Sequence, residues 1–428
     1  MPENPQFILS IVIFVAVYAL IIWDKFDRAV VAFSGAVIVV LVRIISQEDA
    51  FLSIDFNTIG LLISMMIIVM IMRRTGIFEY MAVKMVKASK AEPVRLLIFM
   101  CITTGVLSSL LDNVTTILLI LPITMSVTKD LKLEPIPFII AEIFASNVGG
   151  TATLIGDPPN IMIGSATKLD FMQFLINDAV IALPMLLLTS IIFAFIYRKK
   201  LVTTDDVKKK VLAIDEKLFI TDKVLLIKSM VVFSMVIAGF LLHGIFHYES
   251  STVAMVGAVL LLFVSGLNSE EILKEVEWKT IFFFCGLFML VGSIVETGVM
   301  SALAKAVIGA TGGDMFLTVM AILWVSAIAS AFIDNIPFVA TMIPLIMELG
   351  QMSDMNIYPL WWALSLGACL GGNGTAIGAS ANVVAIGIAD REGYHISFGH
   401  YFKIAFPVML FTILLSTVYV FFRYIFIF

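Results

Sequence analysis

Leu-Leu-Asp-Asn-Val-Thr-Thr at residues 110–116, followed by Gly-Gly-Thr-Ala-Thr-Leu-Ile-Gly-Asp-Pro-Pro-Asn at 149–160, places two polar, glycine-rich clusters inside otherwise apolar sequence. The pattern occurs twice. Asp112-Asn113 returns as Asp334-Asn335, and Gly149, Gly150, Thr153, Ile155, Gly156 and Asn160 return as Gly371, Gly372, Thr375, Ile377, Gly378 and Asn382. Every pair is 222 residues apart, so the copies align without a gap. Two such clusters in a duplicated apolar chain read as two halves of one binding site.

Composition sets the class. The 428 residues are 61% hydrophobic and 14% charged, with a mean hydropathy of +1.07, against roughly 25% charged residues in soluble domains. This is an integral membrane protein, which leaves no role for nucleic acid. Cys101, Cys285 and Cys369 are far apart in apolar surroundings, so they read as core residues rather than a disulfide framework or a metal set. His243, His247, His395 and His400 fall in loops without ligand spacing and read as surface residues. The first apolar run lacks a basic leader and a cleavage site, and reads as a retained span.

Runs long enough to cross a bilayer of roughly 30 Å occur at 7–23, 29–45, 57–72, 137–164 and 179–197. Residues 94–127 differ, because Asp112-Asn113 interrupts them at the centre and leaves halves too short to span. They read as a re-entrant helical hairpin. The run 137–164 is interrupted by Gly149-Gly150 and by Gly156 through Pro159, which predicts two half-helices joined by an unwound loop. The second half repeats the plan with spans at 230–242, 253–264 and 281–295, a hairpin at 316–349, a broken span at 360–388 and a last span at 404–422.

The expected fold class is therefore an all-α integral membrane protein of two inverted repeats, each with five transmembrane helices and one re-entrant hairpin. The repeats cover 1–197 and 229–428, and 198–228 is a cytoplasmic linker. Five crossings per half force inversion. If the linker is cytoplasmic, 23 of the 27 Lys and Arg fall on that side, leaving Arg43, Lys168, Lys305 and Arg423 outside. Both termini are then expected outside, and the protein in the plasma membrane. Residues 76–90 read as an amphipathic helix at the cytoplasmic interface.

Site chemistry follows from burial. A carboxylate at mid-membrane costs about 2.5 to 3.5 kcal/mol on the insertion scale and marks ion or proton pathways. Asp112 and Asp334 recur, and each is suited to carry a proton or, with Asn113 and Asn335, to hold Na⁺ through oxygen; capping a half-helix is compatible with either role. Thr115 and Thr116 face Pro337 and Phe338 in the other copy, so the site is chemically asymmetric. Gly150, Thr151 and Thr153, with Gly372, Asn373 and Thr375, expose backbone groups to a cavity. Asp157 has no acidic counterpart, and serves either the ion or a helix start. Glu142 reads as snorkelling to the interface.

The motifs at 111–116 and 146–160 resemble the ion transporter superfamily, within it the branch of the arsenical pump membrane protein, the NhaD-type sodium/proton antiporters and the melanosomal P protein. The resemblance covers the full length. It implies a scaffold and a transport domain, a homodimer, and an elevator-like movement of the hairpin domain. Carried over by motif, Asp112, Asn113, Thr115, Thr116, Asn147, Gly150, Thr153, Asp157 and Asn160 become site residues, joined by Asp334, Asn335, Gly372, Asn373, Thr375 and Asn382. The expected function is a secondary transporter driven by Na⁺ or H⁺ that exports arsenite or antimonite, with no other cofactor, and with an ATPase subunit as partner if it is an arsenical pump. Sodium/proton antiport, carriage of an anion or citrate-like dicarboxylate, and a passive channel are the alternatives. Acidic tips repel a polyanion unless cations intervene, which lowers the dicarboxylate reading. An aspartyl protease would need two aspartates on one water, and nothing in that mechanism calls for a gapless repeat.

Overall fold

Acidic and hydroxylated caps cut the apolar sequence into helices. Asp27 accepts from the N–H groups of Ala29 and Val30, Ser46 from Asp49, and Asp55 from Asn57 and Thr58, satisfying donors that a helix start leaves open. The computed structural model describes residues 5–23, 25–213, 215–246, 248–353 and 355–426, and among these it is helical without strands. The extreme termini and His247, read above as outside and as a loop residue, lie outside the described residues. Among the described residues eight helices are long and apolar enough to cross a membrane: Pro5–Trp23, Phe56–Arg73, Pro93–Leu110, Phe171–Tyr197, Lys223–Phe246, Trp278–Glu296, Met315–Phe332 and Phe398–Phe426. Pro93–Leu110 and Met315–Phe332, the first arms of the two hairpins, are thus longer than the sequence reading allowed, because each helix runs unbroken up to its Asp-Asn pair.

The repeat governs where helices begin. Arg28–Leu41, Gln47–Leu52, Phe56–Arg73, Ile77–Ala88, Pro93–Leu110, Asn113–Asp130, Ile136–Thr151 and Pro158–Thr167 correspond in order to Ser250–Ser265, Ser269–Glu275, Trp278–Glu296, Val299–Thr311, Met315–Phe332, Asn335–Met352, Tyr358–Gly371 and Ser380–Arg391. Each pair starts 222 residues apart. The halves then exchange partners: Arg28–Leu41 packs on Trp278–Glu296 while Phe56–Arg73 packs on Ser250–Ser265, and Asn113–Asp130 meets Ser380–Arg391 while Asn335–Met352 meets Pro158–Thr167. These reciprocal contacts are those of a pseudo-two-fold.

Several boundaries differ from the sequence reading. The run 29–45 ends as helix at Leu41, because Arg43 turns left-handed at φ 59° and Ser46 caps the short helix Gln47–Leu52. The span expected from Ala179 starts at Phe171 and contains a π-helical turn, Leu175–Ala179, which takes Asn177 and Asp178 inside it. Ile77–Ala88 buries Phe78, Ala82, Val83 and Val86. The linker lies against its start: Thr221 donates its N–H to Thr75 O at 3.0 Å, Lys87 pairs with Glu216, and a Cβ on Gly76 would meet Phe219 O at 1.8 Å.

Each hairpin is fastened to its broken helix at equivalent positions. Ser108 Oγ donates to Ser146 O at 2.7 Å and Ser330 Oγ to Ala368 O at 2.6 Å. Thr153 donates to Ser109 O, and Thr375 to Ala331 O. The helices cross backbone to backbone, since a Cβ on Gly149 would lie 2.0 Å from Gly105 O, and one on Gly371 would lie 2.5 Å from Ala327 O. Gly149→Ala is expected to destabilise the purified protein by roughly 1 to 3 kcal/mol. Gly387→Ala, whose Cβ would meet nothing within 4 Å, is expected to leave the thermal midpoint in detergent at or above the wild-type value.

Candidate functional site

The two hairpin tips share a backbone plan and differ in charge. Asp112 caps Asn113–Asp130, accepting from Thr115 N at 2.8 Å; Asp334 caps Asn335–Met352, accepting from Ile336 N at 3.1 Å. Both are buried. Asp334 Oδ2 also accepts from Arg28 Nη1 at 3.0 Å and from Ser380 Oγ at 2.6 Å. Among the described residues Asp112 has no basic partner, and in the first turn of the helix that it caps Asn113 Oδ1 and Thr116 Oγ1 have no protein hydrogen-bond partner. One tip is thus neutralised from within the chain. The other keeps a buried carboxylate at the end of a cavity.

The broken helices supply the floor. Asn160 Nδ2 donates to Thr151 O at 3.1 Å and Thr153 O at 3.0 Å, and Asn382 Nδ2 donates to Gly372 O and Thr375 O, both at 2.8 Å. Each amide closes the unwound loop of its own repeat and satisfies carbonyls that the break leaves open. The glycines allow the close approach: a Cβ on Gly150 would lie 2.5 Å from Gly156 O, and one on Gly378 would lie 2.6 Å from Gly372 O. A further amide joins the repeats. Asn147 Nδ2 donates to Asn373 Oδ1 at 3.0 Å and Asn382 Oδ1 at 2.8 Å, while its own oxygen accepts from Asn113 Nδ2 at 3.1 Å.

The structure therefore brings Asp112, Asn113, Asn147, Asp157, Asp334, Asn335, Asn373 and Asn382 to the boundary between repeats. Asp157 stands at the head of Pro158–Thr167 without a side-chain cap bond, because Pro158 and Pro159 offer no N–H and Asn160 N–H goes to the Asp157 carbonyl at 2.9 Å; its carboxylate accepts from Asn335 Nδ2 at 3.2 and 3.3 Å. Thr151, Thr153 and Thr375 commit their hydroxyl protons to the backbone. Glu142 does not snorkel. It is fully buried and accepts from Thr124 Oγ1 at 2.8 Å across the hairpin interface, because its position seven residues into Ile136–Thr151 points it at Asn113–Asp130. His243 is also buried rather than at the surface, its Nε2 accepting from Phe171 N at 3.2 Å. Sequence reasoning missed Arg28, counted there only as a loop charge, and Ser380 and Ser365, which carry no motif.

A cavity of about 580 Å³ runs from the segments 25–28 and 277–279 to Asp112 and Ser380. Its ionisable lining balances, with Lys25, Arg28 and Lys279 against Asp27, Asp112 and Glu277. Lys279 pairs with Asp27 at 2.9 Å and holds that carboxyl below its ordinary range. A second cavity, of about 600 Å³, occupies the corresponding place in the other repeat, with Asp55 and Glu249 where the first has Glu277 and Asp27. It ends against Ala340, Ile343 and Pro344, and no tip residue lines it.

The sequence pattern of the CitMHS family, described as citrate transporter, matches residues 18–367. An uncharacterized transporter of Mycobacterium tuberculosis is 45% identical over 97% of this chain and 99% of its own length. The 46 kDa membrane protein of Mycobacterium leprae is 42% identical over 98% and 99%. The P protein of Homo sapiens is 33% identical over 95% of this chain, which spans 58% of that protein. Among solved structures, the Alcanivorax borkumensis YdaH transporter matches with a TM-score of 0.62 at 14% identity, over 97% and 98% of the two chains, a likeness of fold.

Removing the part-buried guanidinium strands the buried Asp334. Arg28→Gln is expected to lower stability by roughly 3 kcal/mol or more, and Arg28→Gln/Asp334→Asn to recover most of the loss. Thermal denaturation of the four members of this cycle measures it; a double variant no more stable than Arg28→Gln would contradict the pairing.

Proposed function

The chain belongs to the CitMHS citrate-transporter family, and from that premise we propose that it is a secondary active transporter driven by Na⁺ or H⁺ bound at Asp112. The reading is carried by the unlike tips: Arg28 fills the place of a cation at Asp334, while Asp112 is buried with no basic partner among the described residues. Hard monovalent cations take oxygen ligands, and a buried carboxylate without a counter-charge favours a proton or a cation. Before the coupling cation binds, the formal charges lining the cavity beside Asp112 sum to zero and give a polyanion no excess of positive charge. Arsenite or antimonite, neutral as the hydroxide, is the first cargo in this reading, in keeping with the arsenical pump branch. Sodium/proton antiport is the second, favoured by the all-oxygen tip.

In the same reading the repeats are inverted, residues 198–228 face the cytoplasm and the termini face outside. The cavity at Asp112 then opens inward. The hairpins and broken helices move as one body against the remaining helices, within a homodimer in the plasma membrane.

Flux into proteoliposomes with internal pH recorded tests the assignment, using Na⁺, arsenite and citrate in turn. Asp112→Asn is expected to lower cation-dependent flux at least tenfold, equivalent to about 1.4 kcal/mol, whereas Arg28→Gln/Asp334→Asn keeps its dependence on the cation. Proton movement evoked by Na⁺ alone identifies the antiporter, and gradient-driven arsenite accumulation the exporter. Citrate uptake, the cargo in the family's description, would overturn the inorganic reading. Flux that follows every gradient uncoupled would make it a channel.

A further inference from the structure

A carboxyl away from both tips sits at the back of the amide network. Asp178 is fully buried on the π-helical turn Leu175–Ala179, a distortion that often accompanies function. Its Oδ2 lies 2.5 Å from Ser365 Oγ, and the same Oγ lies 2.7 Å from Asn160 Oδ1. Asp178 Oδ1 has no protein partner. Nearby Tyr419, Tyr424 and Arg423 all engage Asn177 instead, with the Tyr419 hydroxyl donating to its carbonyl at 2.5 Å and the Tyr424 hydroxyl to Oδ1 at 2.6 Å. The other titratable groups facing this point are Tyr358 and Cys369, on the helix that carries Ser365, with Asp157 beyond Cys369.

Proton counting decides what this arrangement is. Asn160 must turn its oxygen toward Ser365, because its nitrogen is fixed by two carbonyls. The Ser365 hydroxyl owns one proton, and an ionised Asp178 would leave it between two oxygens that only accept. A proton on Asp178 Oδ2 completes the chain: Asp178 donates to Ser365, and Ser365 donates to Asn160 Oδ1. We propose that Asp178 is a proton-carrying site whose proton, relayed through Ser365, sets the hold of Asn160 on the unwound loop that presents Asp157 to the second tip.

The two states differ in one hydroxyl. With Asp178 protonated, Ser365 serves Asn160. Once the proton leaves, Ser365 turns its hydrogen to Asp178, and Asn160 Oδ1 keeps only the Cys369 thiol, 3.5 Å away. The amide that closes the loop over Thr151 and Thr153 is then held firmly by its nitrogen alone, and the loosening reaches Asn335 through Asp157. This inference rests on the reading of the chain as a coupled transporter, and adds a proton-carrying group to the cation site proposed at Asp112.

Infrared difference spectra of the full chain in liposomes, recorded across a pH step, test it. The wild type is expected to show the carbonyl stretch of a protonated carboxyl that bleaches as pH rises, and Asp178→Asn to lack it. Ser365→Ala is expected to keep the band and move it to higher frequency, since one hydrogen bond is lost. In flux assays with Na⁺, arsenite and citrate as probes, the ratio of gradient-driven accumulation to downhill exchange is expected to fall at least tenfold in Asp178→Asn. A band insensitive to pH, or spectra unchanged in Ser365→Ala, would overturn the proposal. A wild type that carries none of the probes would sink the transport reading and leave the spectra to judge Asp178.

Discussion

Inside an apolar span, every broken helix must satisfy its own loose backbone groups, because no water is present to do so. That constraint is met here by two asparagines, Asn160 and Asn382, each gripping carbonyls upstream in its own repeat. Much else follows from it. The glycines are needed because the gripped loops bring backbone against backbone, and the hairpins can be bolted on by Ser108, Ser330, Thr153 and Thr375 only once the loops hold their shape. Asn147 then links the two loops, so the halves close around a shared set of amides.

On this common frame the repeats have diverged in chemistry. Asn147 stands opposite Cys369 in the alignment and Asp157 opposite Ala379, so each cross-repeat contact is made once rather than twice. The tips diverge most. A guanidinium from the start of Arg28–Leu41 reaches Asp334, while the corresponding position at Ser250 carries no charge to offer Asp112. Two cavities at equivalent places then end differently, one at a tip residue and one against Ile343 and Pro344.

The sequence was a good guide wherever structure is covalent or local. A gapless repeat carries helix starts with it, prolines and glycines break helices by their own sterics, and the pairs Asp112-Asn113 and Asp334-Asn335 bend hairpins by interrupting apolar runs. Three-dimensional partners were another matter. Arg28 lies in the charged stretch between the first two apolar runs and reads as a loop charge until Asp334 is placed beside it. Asp178 hides because a π turn, which has no local signature in Leu-Ile-Asn-Asp-Ala, carries it into the span. Glu142 looked close to a helix end, and only the packing of the hairpin over that end shows that it is sealed.

A charge that is part of the chain behaves unlike one that is borrowed from solution. The guanidinium at Asp334 is tethered to the chain and cannot diffuse away, so a dissolved cation reaches the second tip only by displacing it. The first tip has no such tenant. In the proposed reading the duplicated chain, symmetrical in backbone, therefore offers a dissolved metal cation one tip and not two.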